Sequence, residues 1–186
     1  MSKSERIIIC HWVRIRCHMG SLTGNCFILG SYAIHAWGSS ILNGNAGNWG
    51  PMNAWKGSSK TNTKFFHSNL QVNPWVRFQL NKVTVITSVT IVNRWDCCGN
   101  RLRNIQVRAG MANNINNPVV GTFKGPGKSK GVYVIRLTKA VRARYIVILM
   151  KGKGYLQVNG IRLNEKPVGG KPKPKGKLQR AELLTL

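Results

Sequence analysis

The apolar positions of this chain alternate over short stretches and then give way to turn residues. In "PWVRFQL" (74–80), Val76, Phe78 and Leu80 fall on one face and Arg77 and Gln79 on the other, the period of two that marks a half-buried strand. "VTVITSVTIVN" (83–93) is β-branched along nearly its whole length, which suits a pleated surface. "NIQVRAG" (104–110), "GVYVIRL" (131–137), "RYIVILM" (144–150) and "GYLQVNGIRLN" (154–164) follow, separated by turn residues. Pro74 opens its strand, where a missing N–H does no harm, and Trp75 is assigned to the core. Residues 38–63, rich in Gly, Ser and Asn, read as loops. With no convincing amphipathic helix between the strands and no internal repeat, the pattern predicts an all-β sandwich or barrel.

A length of 186 residues, 42% of them hydrophobic and 18% charged, suits one globular domain. No apolar run approaches the roughly 18 residues of a membrane span. Lys3 and Arg6 precede Ile7, Ile8 and Ile9 in the manner of a signal peptide, but His11, Arg14, Arg16 and His18 interrupt the stretch, so no signal is assigned. The chain divides into a basic N-terminal extension (1–24), a folded domain (25–164) and a Pro/Gly/Lys linker and tail (165–186), where Lys-Pro alternation favours extended backbone.

Charge changes the picture of partners. The formal net charge of +25 implies attraction to polyanions or anionic membrane surfaces, weakened by salt. Residues 25–164 carry 19 of the 29 Lys and Arg and a single acid, Asp96, so the domain itself is basic. One acid leaves no pair of carboxylates for glycoside hydrolysis, and no P-loop, Rossmann fingerprint or Ser-His-Asp arrangement is present. An enzyme is not expected.

The lone acid lies in "NRWDCCGNRL" (93–102), with Arg94 two residues before it, Arg101 five after, and Cys97 and Cys98 between. His67 stands twenty-seven residues before Arg94, in the loop before a strand. Five cysteines, Cys10, Cys17, Cys26, Cys97 and Cys98, cannot all pair within one chain and lack C-x-x-C spacing. Adjacent Cα atoms lie about 3.8 Å apart, below the roughly 4.4 Å of ordinary disulfides. A Cys97–Cys98 bridge would therefore be a strained ring, and two plain thiols are an equal alternative from spacing alone. Likewise, Arg94 and Asp96 taken alone suit a surface ion pair worth at most about 1 kcal/mol.

Together these residues carry a resemblance. "FHSNLQVNPWVRFQL … ITSVTIVNRWDCCGNRLRNIQVRAG" resembles the F-type lectins, or fucolectins, whose signature is His, twenty-six residues, then R-x-D and four residues to Arg or Lys; that spacing is unbroken here. The likeness covers roughly 25–164: "NCFILGS" is similar to the family's first strand, "NAWKG" to its Asn-Ala-Ile-Asp-Gly turn, and "RYIVILMKGKGYLQVNGIRL" to its last two strands. It implies a jelly-roll β-sandwich of the galactose-binding, discoidin-like kind, a non-enzymatic lectin, fucosylated glycans as partners and secretion. It also implies that His67, Arg94 and Arg101 grip the axial hydroxyl and ring oxygen of L-fucose. Asp96 would lie between the two guanidiniums and hold their planes, and Cys97 and Cys98 would form a vicinal disulfide plate under the sugar ring. Guanidiniums suit that role as fixed donors that stay charged. Phe65 and Phe66 are set equally for fucose's methyl group or for the core.

Departures from the family are also specific. Phe65 and Asn159 stand where one family disulfide would sit, and Val120 and Leu137 where another would. Lys56 and Gly160 replace family calcium ligands, so no cofactor is expected, since calcium needs six to eight oxygens. The alternative function is a binder of polyanions or anionic membranes on the same sandwich with a decayed sugar site, using loop residues Trp37, Trp49 and Trp55. No specific nucleic-acid partner is expected, and clustering into a homo-oligomer would give a single-site lectin avidity.

Overall fold

The computed structural model describes residues 30–56 and 64–166, together with the backbone of three earlier strands. Those strands, Arg6–Cys10 (β1), Val13–Cys17 (β2) and Cys26–Ile28 (β3), form an antiparallel sheet in the order β1-β2-β3.

Two long strands, Trp75–Val92 (β7) and Val132–Met150 (β10), organise the domain. At its start β7 pairs on one side with Ala33–Gly38 (β4) and on the other with the end of β10. That end of β10 in turn pairs with Ile105–Gly110 (β8), and β8 with Val119–Phe123 (β9). At its end β7 pairs with the start of β10 and with Gly160–Lys166 (β13). Each long strand thus serves both arms of a sandwich. The segments expected as separate strands, 74–80 with 83–93 and 131–137 with 144–150, are halves of continuous ones. Register shifts at Arg136/Val141 and Ala143/Tyr145 let the sheet bend without a turn. Phe78, Leu80, Ile146 and Ile148 from one arm meet Val89, Ile91, Ile135 and Ile161 from the other in one apolar core.

β9 was not legible as a strand, because Gly121 interrupts its apolar run. A Cβ there would come within 2.7 Å of the Ile135 side chain. Of the stretch 38–63, residues 57–63 lie outside the described residues, and 38–56 hold more order than loops: a 3₁₀ turn at Leu42–Gly44 and the helices Ala46–Trp49 (α1) and Pro51–Lys56 (α2). The Asn45 side chain caps α1 by accepting from Asn48 N–H at 3.1 Å. Pro51 starts α2, where proline is well tolerated. Ala54 is fully buried and Trp55 packs on Phe78 at 5.4 Å between ring centroids.

Trp75 is half-buried at the sheet surface rather than in the core, with the Arg77 guanidinium 5.7 Å from its ring. Glu165 belongs to β13, not to a tail. Its carboxylate accepts from Ser31 N–H at 3.0 Å and Thr84 Oγ1 at 3.0 Å, and the Ser31 hydroxyl also donates to it.

Four short strands, in two pairs, position the candidate site. Phe66–His67 (β5) pairs with Gln157–Val158 (β12), so His67 lies opposite Gln157. Gln71–Val72 (β6) pairs with Lys153–Gly154 (β11). Phe65 and Asn159, the next residues beyond the β5–β12 pairing, are both buried.

Candidate functional site

Residues 93–102 leave the end of β7 as a tight loop whose anchor is Asn93, 1% exposed. Its amide nitrogen donates to the carbonyls of Gly99 at 2.9 Å and Lys128 at 3.0 Å, and its amide oxygen accepts from Arg94 N–H at 2.8 Å. Backbone bonds from Lys130 N–H to Arg94 C=O (2.8 Å) and Gly127 N–H to Leu102 C=O (2.8 Å) fasten it to the neighbouring loop. Gly99 is required at this contact, since a Cβ would fall 2.0 Å from Ser129 N.

Cys97 and Cys98 are joined by a disulfide with Cα atoms 3.8 Å apart. Cys98 takes φ 58°, in the left-handed region, which non-glycine residues adopt at a cost. The bridged pair sits on the outer side of the loop, Cys97 exposed and Cys98 half-buried.

Asp96 clamps Arg94 in a bidentate pair, accepting from Nε at 2.5 Å and from Nη2 at 2.7 Å. The hydrogen bonds from Arg94 hold the Asp96 carboxyl down to about 2. Asp96 was expected between the two arginines; among the described residues its ion pair is with Arg94. Arg101 is steadied by Tyr155, with its guanidinium 4.7 Å from the ring centroid, and Arg94 lies 5.1 Å over Phe65.

His67 is 3% exposed and ringed by aromatics, with centroids of Trp49 at 5.8 Å, Phe65 at 5.9 Å and Tyr155 at 5.5 Å. Its Nδ1 lies 2.7 Å from the Ser68 carbonyl, so Nδ1 carries the proton and donates. Burial lowers its pKa below the ordinary 6.5, against the opposing pull of the Ser68 carbonyl, and the charges of Arg94 and Arg101 lower it further. The imidazole is neutral, and Nε2 presents a lone pair.

The structure brings His67, Arg94 and Arg101 to one point, and Gln157 marks it. The end of the Gln157 amide lies 2.6 Å from His67 Nε2 and, with its oxygen turned inward, 3.0 Å from Arg94 Nη1 and 3.0 Å from Arg101 Nη1. Phe65 and Phe66 are 1% and 0% exposed, so they line the core behind the site rather than its mouth. Of the loop tryptophans, Trp49 packs on Phe65 and His67 and Trp55 on Phe78, which draws both away from a membrane-facing role. Gln157, Tyr155 and Asn93 escaped sequence reasoning, and Trp49 was read there only as a loop residue of the alternative function. The one local hint was a polar Gln157 between Leu156 and Val158.

A family model for the F5/8 type C domain matches residues 35–162. A fucolectin of Anguilla anguilla is 35% identical over 130 residues, 62% of this chain and 76% of that protein. Fucolectin-6 of Anguilla japonica is 33% identical over 53% of this chain, and here the chain spans about half of the relative's length, 52%. The crystal structure of a fucolectin from striped bass (Morone saxatilis) serum superposes with a TM-score of 0.63 at 27% identity, covering 69% of this chain and 45% of that one.

Proposed function

The chain belongs to the F5/8 type C domain family and, within it, to the fucolectins, and from that premise we propose that it is a non-enzymatic lectin that holds terminal L-fucose at His67, Arg94 and Arg101. One observation carries the reading: the three nitrogens converge on a single point, and with Nδ1–H given to the Ser68 carbonyl the neutral His67 leaves one acceptor and two guanidinium donors there, the complement of a hydroxyl. A hydroxyl donates one proton and accepts two. It would donate to the Nε2 lone pair of neutral His67 and accept from Arg94 and Arg101, with Asp96 holding Arg94 in plane. The exposed Cys97–Cys98 bridge, in the loop between the arginines, offers an apolar surface for the sugar ring.

Calcium has no part in this proposal. Gly160 is buried and brings no side-chain oxygen, and Lys56 brings a cation where a carboxylate would be needed. Fucosylated glycans at an extracellular surface are the proposed partners, and the net charge of +25 would concentrate the protein near acidic ones.

The test is retention on immobilised L-fucose. Retention through about 1 M salt, where screening acts within about 3 Å, with release by free fucose and not by glucose, is expected. His67→Ala and Arg101→Ala, with folding intact, should abolish it. Release by salt alone would assign the binding to charge and overturn the sugar site.

A further inference from the structure

We propose that Gln157 is a built-in occupant of the sugar site: its amide fills the position of a ligand hydroxyl and must swing out before a sugar can bind. The inference rests on the sugar-site reading above and adds to it a competitor within the chain.

The first ground is exclusion. Gln157 is 2% exposed, and its amide end lies within 2.6–3.0 Å of His67 Nε2, Arg94 Nη1 and Arg101 Nη1. A hydroxyl held by the same three nitrogens needs hydrogen-bond distances of about 2.7–3.0 Å, which places its oxygen where the amide end already is. Two heavy atoms cannot share that point. His67 itself is 3% exposed, so a sugar has no contact with its Nε2 while Gln157 stays in place.

The second ground is an imperfect fit. His67 Nδ1–H donates to the Ser68 carbonyl at 2.7 Å, which leaves Nε2 as an acceptor. With its nitrogen turned inward the Gln157 amide satisfies Nε2 but faces two guanidinium N–H donors. With its oxygen inward it accepts from both arginines at 3.0 Å and lies 2.6 Å from Nε2, a contact that is a hydrogen bond only if Nε2 also carries a proton. Relief by protonating His67 would put a third positive charge in a buried cluster with Arg94 and Arg101. An amide presents only donors at one end and only acceptors at the other, whereas a hydroxyl combines both at one atom. Gln157 is therefore held well enough to close the site and poorly enough to be displaced.

Backbone pairing allows this movement. Gln157 is fixed to β5 through its main chain opposite His67, and χ rotation of a long side chain alone would clear the site. The closed form taxes affinity in proportion to its population, because apparent Kd is the intrinsic value divided by the open fraction.

The experiment is a titration of L-fucose into wild-type protein, Gln157→Ser and Gln157→Glu, by calorimetry, with thermal melts confirming folding. A site closed about ten to one gives roughly tenfold tighter binding when the long side chain is removed. Gln157→Ser is thus expected to tighten binding about tenfold. Gln157→Glu, whose carboxylate would pair with both arginines, is expected to weaken it by at least as much. If folded Gln157→Ser binds equally or more weakly, Gln157 positions the site rather than competing for it, and the proposal falls while the sugar reading stands. If no form binds fucose, the sugar reading fails and the competition with it. A readout free of sugar runs alongside: the His67 pKa, followed by NMR in the unliganded proteins. Opening the cover should raise it towards 6.5 in Gln157→Ser, and an unchanged value overturns the proposal whatever the titration gives.

Discussion

Asn93→Ala isolates what holds the loop at 93–102. The side chain is 1% exposed and makes three hydrogen bonds, to Gly99 C=O, Lys128 C=O and Arg94 N–H. Alanine removes all three bonds at the junction of two loops: the Gly99 and Lys128 carbonyls keep only their backbone donors, Leu102 N–H and Gly131 N–H, and Arg94 N–H loses its acceptor. At about 1 kcal/mol per bond, the loss comes to about 3 kcal/mol. For a chain of this size, 1 kcal/mol moves Tm by about 2–4 °C, so a drop of about 6–12 °C is expected. Because the same bonds aim Arg94 and seat Gly99, fucose affinity should fall with stability. Asn93→Asp separates the parts. It keeps the acceptor for Arg94 N–H but turns an anion towards two carbonyls, and so should be at least as damaging. Urea unfolding followed by tryptophan fluorescence, with fucose titration on the folded fraction, measures both effects. A stability loss under about 1 kcal/mol with unchanged fucose binding would refute the reasoning, because it would mean the loop is held by its backbone contacts alone.

Three further outcomes are expected. Asp96→Asn frees Arg94 from its bidentate clamp and should weaken fucose binding about tenfold while changing Tm little, since a partly exposed pair contributes at most about 1 kcal/mol; a large Tm loss would contradict the assignment. His67 is buried with its pKa lowered from 6.5, so the unfolded chain takes up a proton that the folded one resists. Its contribution to stability is whole above 6.5 and is lost as pH falls below it. Urea midpoints at descending pH should show that loss in wild-type protein and less of it in His67→Gln, and equal slopes would sink the assignment. Finally, a calcium chelator should leave Tm and fucose retention unchanged in a thermal-shift assay, and a drop in Tm would restore the metal site that Lys56 and Gly160 argue against.

The amino-acid sequence by itself determined the β architecture, because period-two alternation at Val76, Phe78 and Leu80 is a local property of the chain. It also singled out the candidate residues His67, Arg94, Asp96 and Arg101, since their spacing survives in one dimension, and the adjacency that allows Cys97 to join Cys98. It could not show that residues 75–92 and 132–150 are each one bent strand, because the polar residues at the bends, Asn81 and Lys82 in one and Thr138 and Lys139 in the other, read locally as turns. Nor could it show the roles of Gln157, Tyr155, Asn93 or Glu165. Gln157 meets His67 across 90 positions, and Glu165 meets Ser31 across 134. Such partners share no local signal. They come together only when β12 pairs with β5 and β13 closes on β7, and it is this pairing that puts a carboxamide at the point where three nitrogens converge.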